Sequence, residues 1–239
     1  MTDAEKVAAL FAAHDVEGTL VIESLDGYRT IIHNPERASE QFSPASTFKI
    51  PNTLIALEHG IVTSKDSPFN WDGTDRSLPQ WNRDQTLESA FKVSCVWCYQ
   101  EMARALGAGA YVAALRDLNY GNREIGAAVD QFWLNGDLRI SAFQQIEFLR
   151  SFYLGDTGHD ERHVAIVKDI MRVEVSESHT LYAKSGWTGA GLAVGWYVGF
   201  VETPGETWLF AMNMRMNDAA QAPLRQQLTV EALGKLRMI

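Results

Sequence analysis

Apolar positions follow two periods along this chain, and the change from one to the other divides it. In PASTFKIPNTLIALEHG, residues 44–60, and the isoleucine after it, Ile50, Leu54, Leu57 and Ile61 recur at i, i+4, i+7 and i+11. That is the spacing of a helix face turned into a core, so residues 46–60 are expected to form a buried helix closed by Gly60 as its C′ residue. Ala8, Leu10, Phe11 and Ala12 give residues 2–14 a shorter helix. Ser141, with Gln144 three residues on, starts a capping box for a helix to about Tyr153, with Ala142, Ile146, Leu149 and Tyr153 as its buried stripe. Residues 95–118 also read as helix, apart from a break near Gly107 and Gly109, and a last helix is expected over about 222–237.

Elsewhere the period is two. GTLVIESLDGYRTIIHN carries two β-branched runs around Asp26-Gly27, a hairpin signal. HTLYAKSGW, AVGWYVGFVE and TWLFAMNMRM, from His179 onward, are three aromatic and β-branched runs separated by Gly or Pro turns. Residues 61–88 are turn-rich and aromatic (Pro68, Trp71, Asp72-Gly73, Pro79, Trp81), which predicts a long surface excursion. Strands at both ends with helices between predict an α+β fold. One antiparallel sheet forms from both chain ends, flanked by helices, with an inserted all-helical lobe. The expected organisation is one domain over residues 1–239, with a mixed lobe at about 1–60 and 165–239 and a helical lobe at about 61–164.

Composition narrows the function. The 239 residues are 46% hydrophobic, enough for a substantial core, and the formal charge of -9 comes without a Lys/Arg cluster. Nucleic acid is therefore not an expected partner, since phosphate contacts need clustered cations. No apolar run approaches the roughly 18 residues of a membrane span, so no membrane insertion is expected. Met1 leads into Thr-Asp-Ala-Glu-Lys, which is not a signal-peptide pattern. A mature secreted protein with a new initiator Met has the same start, and the compartment stays open. Cys95 and Cys98 are the only cysteines. Their C-x-x-C spacing suits a redox motif or half a zinc site, but there is no second pair and no strand-to-helix thioredoxin context, so packing cysteines are expected.

Candidate chemistry starts at Ser46 and Lys49. Ser46 stands at the mouth of the expected helix, where unpaired N–H groups and the positive dipole end can stabilise an oxyanion. Lys49 follows one turn later on the same side. A serine hydroxyl needs a neighbouring base to take its proton. An ordinary lysine is neutral in only about one molecule in 2,500 at pH 7, but burial lowers its pKa by up to about 3–5 units. Taken alone, the segment favours a plainer account, with Ser46 as an N-cap and Lys49 snorkelling to solvent. S-x-x-K is also a weak pattern, and Ser89-Ala-Phe-Lys92 repeats it.

Three further triplets change that balance. Lys184-Ser185-Gly186 puts a cation and a hydroxyl on a strand beside a glycine that admits a ligand to the backbone, although an exposed edge lysine would look the same. Ser94-Cys95-Val96 opens a helix, which an N-cap serine would also explain. Tyr120-Gly121-Asn122 places a phenol and an amide on a turn, where Gly-Asn is ordinary turn chemistry.

In this order and at these separations the motifs resemble the class D, oxacillinase-type serine β-lactamases. The resemblance spans nearly the whole chain through P-A-S-T-F-K-I-P-N, S-x-V, Y-G-N, Phe132-Trp133-Leu134, K-S-G and Pro-Leu-Arg ending at Arg225. The triplet is K-S-G where the family pattern is K-T-G, which keeps the hydroxyl. No S-D-N follows the S-x-x-K, so the class A pattern does not fit.

The resemblance implies a penicillin-type β-lactam as substrate, no metal, a periplasmic or secreted location, and a monomer or homodimer. It implies Ser46 as nucleophile and acyl carrier, and Lys49 as a base once CO2 has made its carbamate. Trp133 is implied to steady that carbamate through its indole N–H and Val96 to shield it. Ser94 is implied as proton shuttle and Lys184 as its cationic partner. The backbone N–H groups of Ser46 and Trp187 would form the oxyanion hole. Ser185, Gly186, Trp187 and Arg225 would bind substrate, with Trp81, Leu134, Tyr120 and Asn122 around the pocket.

Two alternatives stand beside it. A β-lactam sensor domain shares the fold and motifs but stays acylated. A metal-dependent hydrolase would use His159-Asp-Glu-Arg-His163, if those histidines share a helix face.

Overall fold

The computed structural model describes residues 1–189 and 193–239. Helix α1 (Asp3–Ala13) leads into a hairpin, β1 (Gly18–Ser24) and β2 (Thr30–His33), and a short α2 (Pro35–Ser39). A 3-10 turn, Ala45–Phe48, runs directly into α3 (Lys49–Glu58). Two-residue strands β3 (Pro68–Phe69) and β4 (Gln85–Thr86) bracket the turn-rich excursion. Then come α4 (Leu87–Lys92), α5 (Val96–Asp117), α6 (Ala142–Leu154) and α7 (Glu161–Met171). Strands β5 (Arg172–Val175), β6 (Thr180–Trp187), β7 (Val194–Glu202) and β8 (Thr207–Arg215) precede α8 (Leu224–Lys235). The turn expected between the first two aromatic runs lies partly outside the described residues.

The six-stranded sheet has the order β2-β1-β8-β7-β6-β5, and every pairing is antiparallel. Both chain ends therefore build one sheet, because β1 pairs with β8. The predicted α+β class holds, and the physical reason is visible in β7. Trp196, Val198 and Phe200 pack into the core shared with α3, α5 and α6, while Tyr197 and Val201 pack with α1 and α8. A strand covered on both faces reads as a continuous apolar run.

Helix α3 departs from the amphipathic expectation. Every residue from Lys49 to Leu57 is buried, so it is the central helix, covered all round. It ends at Glu58, Gly60 takes the left-handed φ of 68°, and Ile61 lies outside on the surface rather than continuing the stripe. In α5 the break is at Gly107 alone, whose φ of 77° and ψ of 165° are non-helical. The Ser141 capping box is present as the sequence predicts. The edge strand β5 was not foreseen, because its residues Arg172–Val175 are all exposed and carry no buried alternation.

Candidate active site

Ser46 lies in the 3-10 turn and Lys49 opens α3, so the turn of helix expected between them is real. Lys49 is 0% exposed and Ser46 9%. The snorkelling account fails because α3 has no solvent face for the lysine to reach. The Lys49 Nζ stands 3.4 Å from the Ser46 Oγ and 4.5 Å from the centroid of the Tyr99 ring. Burial, and then the charge of Lys184, hold the Lys49 amine well below the usual lysine range. It is the kind of amine that can be neutral near pH 7.

The other motifs converge on this pair. Lys184 Nζ donates to Ser94 Oγ at 2.6 Å, joining the K-S-G strand to the S-x-V turn. Lys184 is 4% exposed, and burial with the Arg225 charge pushes its pKa down to about 7. Arg225 donates to the Gly186 carbonyl and, at 2.8 Å, to that of Ala222, which fixes its guanidinium beside β6. Burial lowers its pKa as well. Among the described residues, no carboxylate stands close enough to offset these shifts. Two buried lysines and a half-buried arginine without a counter-anion make a site that favours anionic ligands.

Trp133 is 0% exposed and stacks on Phe48, the residue before Lys49, with centroids 5.7 Å apart. Its Nε1–H is buried with no hydrogen-bond partner among the described residues. An orphaned buried donor costs roughly 1–3 kcal/mol, so the position calls for an acceptor beside Lys49. Val96 is half-buried at the first turn of α5. Ser43 Oγ donates to the carbonyls of Trp133 and Leu134, both at 2.9 Å, and its own carbonyl accepts from Trp196 Nε1 at 3.0 Å. One residue thus ties the loop, the Ser46 turn and the sheet together.

The family profile described as the penicillin binding protein transpeptidase domain matches residues 30–233. The chain is 41% identical to the β-lactamase OXA-48 of Klebsiella pneumoniae over 97% of its own length and 88% of that protein's. It is 37% identical to OXA-10 of Pseudomonas aeruginosa over 93% and 85% of the two chains. It superposes on the solved class D β-lactamase FUS-1 of Fusobacterium nucleatum with a TM-score of 0.95, 36% identity and 98% of each chain covered. The chain belongs to the class D β-lactamases.

Within this β-lactamase several sequence expectations need correcting. Cys95 and Cys98 are not free packing cysteines; they form a disulfide. Ser94 is not the N-cap of α5: Cys95 holds that place, and Ser94 sits before it with a left-handed φ of 55°. Tyr120 and Asn122 are not at the pocket wall. Tyr120 is fully buried with its ring against Phe48 and Phe148, and burial pushes its phenol above the usual range. Asn122 accepts from the backbone N–H of Arg139 and donates to the Asp137 carbonyl, both at 2.9 Å. Gly121 fits between because its left-handed φ of 56° brings it against the Arg139 carbonyl. The Y-G-N triplet is a loop joint.

The second S-x-x-K is structural too, since Ser89 completes a cap on α4 and Lys92 pairs with Glu88 at 2.6 Å. The histidine pair does not share a helix face: His159 precedes the N-cap of α7 and bonds to the Thr157 carbonyl, while His163 bonds to Glu58. That geometry displaces the metal-hydrolase alternative. Trp81 is a half-buried brace, donating to the Val93 carbonyl and accepting from Trp97 Nε1, each at 2.9 Å. Leu134 is half-buried beside Trp133 and Trp187 is exposed.

Two residues that the motifs did not single out also shape the site. Tyr99 covers the Lys49 amine, and its hydroxyl meets Thr53 Oγ1 at 2.7 Å. Its i, i+3 relation to Val96 on α5 was the available signal. Thr47 bonds to the Pro44 carbonyl and accepts from Gln145 Nε2 at 3.0 Å, anchoring the Ser46 turn to α6.

Gly186 is where β6 meets that turn. A methyl there would stand 2.9 Å from the Pro44 carbonyl oxygen and 3.2 Å from the Thr47 nitrogen. These are backbone atoms and cannot swing aside. Gly186→Ala is therefore expected to push β6 away from Ser46, lowering kcat/KM severalfold and stability by about 1–3 kcal/mol. Steady-state kinetics and a thermal melt measure both, and an unchanged kcat/KM would show that the close approach is dispensable.

Proposed function

We propose that this protein hydrolyses the lactam ring of penicillin-type antibiotics through an acyl-enzyme on Ser46, with Lys49 N-carboxylated by CO2 as general base, and so confers resistance. The observation that carries the reading is a fully buried Lys49, its pKa held low by burial, beside Ser46, with the Trp133 ring packed on the residue that precedes it and its N–H unpartnered among the described residues. Lys49 would hold the carboxyl group, Trp133 would donate to it and Val96 would keep water from it. When carboxylated, Lys49 presents an anionic oxygen able to take the Ser46 proton and, later, that of the attacking water.

The remaining roles belong to the chain itself. The backbone N–H groups of Ser46 and Trp187 are assigned to the carbonyl oxygen as it becomes an oxyanion. Lys184 donates to Ser94 Oγ, which leaves the Ser94 O–H proton free for the departing lactam nitrogen. Ser185 and the Arg225 fork take the substrate carboxylate, where bidentate geometry favours arginine. Trp81, Leu134 and Trp187 border the side chain of the substrate. The Cys95–Cys98 disulfide supports a periplasmic or secreted location, because such bonds persist in oxidising compartments; a cellular pool carrying both thiols reduced would contradict it.

The test is steady-state hydrolysis of a penicillin, a cephalosporin and a carbapenem, each with and without bicarbonate. Multiple turnovers of the penicillin are expected. A burst of one equivalent followed by silence would instead make the protein a sensor.

The pH dependence has a worked sign. Below its lowered pKa, Lys49 is a cation and cannot attack CO2, so the rate is expected to fall in acid and recover with added bicarbonate. Lys184 loses its charge above about 7, a limb that negative charge on Lys49 or on substrate displaces upward. A rate that is flat in acid and blind to bicarbonate would remove the carboxylated lysine.

A further inference from the structure

The Cys95–Cys98 cross-link lies at the site, and the chemistry above does not use it. Cys95 is the N-cap of α5 and Cys98 the third residue of its first turn, and both sulfurs are 0% exposed. Of the residues between and beside them, Trp97 and Tyr99 are buried as well, and two are partly open. Ser94 and Val96 are half-buried, with Ser94 bonded to Lys184 and Tyr99 laid against the Lys49 amine. The start of α5 thus carries two residues that touch Lys184 or Lys49, Ser94 just before the N-cap and Tyr99 one turn in, and the disulfide staples the turn between them.

A bond spanning three positions closes so short a loop that it contributes little to global stability in the chain-entropy account. Its effect is local. Ser94 holds a left-handed φ of 55°, a conformation that a non-glycine residue keeps only when its surroundings enforce it. Enforcement comes from Cys95 N–H to the Ala90 carbonyl at 2.8 Å on one side and from Lys184 on the other. Cys95 is the next residue, and its sulfur also accepts from the Cys98 N–H at 3.3 Å.

We propose that the Cys95–Cys98 disulfide is a positioning clamp: it sets Ser94 against Lys184 and holds Tyr99 over Lys49, so that oxidation of the pair tunes the affinity of Lys49 for CO2. The part concerning CO2 rests on the function proposed above. Both sulfurs are sealed from solvent, so the pair is not a thiol-exchange centre for protein partners. Opening it needs a dithiol reductant: the S–S bond breaks, each sulfur takes one electron and one proton, and the reductant closes into its own disulfide.

The experiment compares the wild type with Cys95→Ser/Cys98→Ser and Cys95→Ala/Cys98→Ala, measuring kcat, KM and half-saturating bicarbonate. The serine pair keeps a good N-cap; the alanine pair shows that no new hydroxyl causes the effect. Both are expected to lose about tenfold in kcat at ambient CO2, the scale of a small misplacement of catalytic groups. KM should hardly change, half-saturating bicarbonate should rise, and excess bicarbonate should return most of the rate. The 13C signal of Lys49 exposed to labelled bicarbonate should weaken in parallel.

Wild-type kcat and bicarbonate dependence in both variants would overturn the clamp. A wild type itself indifferent to bicarbonate would remove the carboxylated lysine instead, and the clamp would then be judged on kcat alone. If neither variant folds, wild type reduced with dithiothreitol, its two thiols counted, gives the same comparison.

Discussion

Lys49→Ala is expected to lower penicillin turnover by on the order of 10³–10⁴, the upper range for removal of a general base, and bicarbonate should not restore it. Acylation should slow sharply and deacylation should stop, so that intact-protein mass spectrometry finds the antibiotic retained on Ser46. The cause is geometric as well as chemical. No other titratable side chain is bonded to Ser46 among the described residues, and the buried α3 leaves no path for solvent to substitute. Bicarbonate-independent turnover by this variant would sink the assignment of Lys49 as the base.

The same residue carries a stability prediction of opposite sign. Lys49→Met keeps most of the volume and removes the buried amine. In the unfolded chain Lys49 binds a proton up to its ordinary range near 10.4, whereas the folded site holds its pKa well below that. The folded state is therefore penalised wherever the unfolded lysine is charged and the folded one resists charging. The penalty is absent above the ordinary range and grows as pH falls to the folded pKa. In CO2-depleted buffer Lys49→Met should melt higher than the wild type at pH 7, with the gain fading as pH rises toward 10. An inactive yet stabilised protein would show a functional group kept against stability.

Trp133→Phe is the second large effect. The ring that stacks on Phe48 is kept, and only the orphaned N–H is lost. Without CO2 the change should be neutral or slightly stabilising, since it deletes an unsatisfied buried donor. Turnover, however, should fall on the order of 10²-fold, matching the loss of a hydrogen bond to a charged group at about 1.5–3 kcal/mol. Half-saturating bicarbonate should rise with it. A Trp133→Phe enzyme with wild-type bicarbonate dependence would mean that the indole N–H has another acceptor.

Much of the site was legible because its chemistry is local. Ser46 and Lys49 are one turn apart, the capping box at Ser141 is a four-residue pattern, and β6 to β8 are long aromatic and β-branched runs. The misreadings came where one pattern serves two structures. Tyr120 and Asn122 look like ligand contacts because a turn and a binding loop use the same residues. The C-x-x-C spacing is equally compatible with free and paired sulfurs, and only the helix start at Cys95 brings the two together. The edge strand β5 is a four-residue Arg-Val-Glu-Val alternation, too short to stand out, and all four residues stay exposed because no core covers it.

By itself the sequence determined the helices α1, α3, α5, α6 and α8, the strands of the sheet other than β5, the α+β class, and the motifs that hold Ser46, Lys49, Ser94 and Lys184, all written as short-range spacings of residue types; α2, α4, α7 and β5 were not among them. The tertiary structure decided their state. The Lys49 pKa is held low because α3 is covered on every side, and Trp133 lacks a partner among the described residues because the loop before α6 folds over Phe48. Ser94 is useful because β6, ninety residues later, brings Lys184 to within 2.6 Å. A pKa depends on what surrounds a group in space, and residues distant in sequence supply that surrounding.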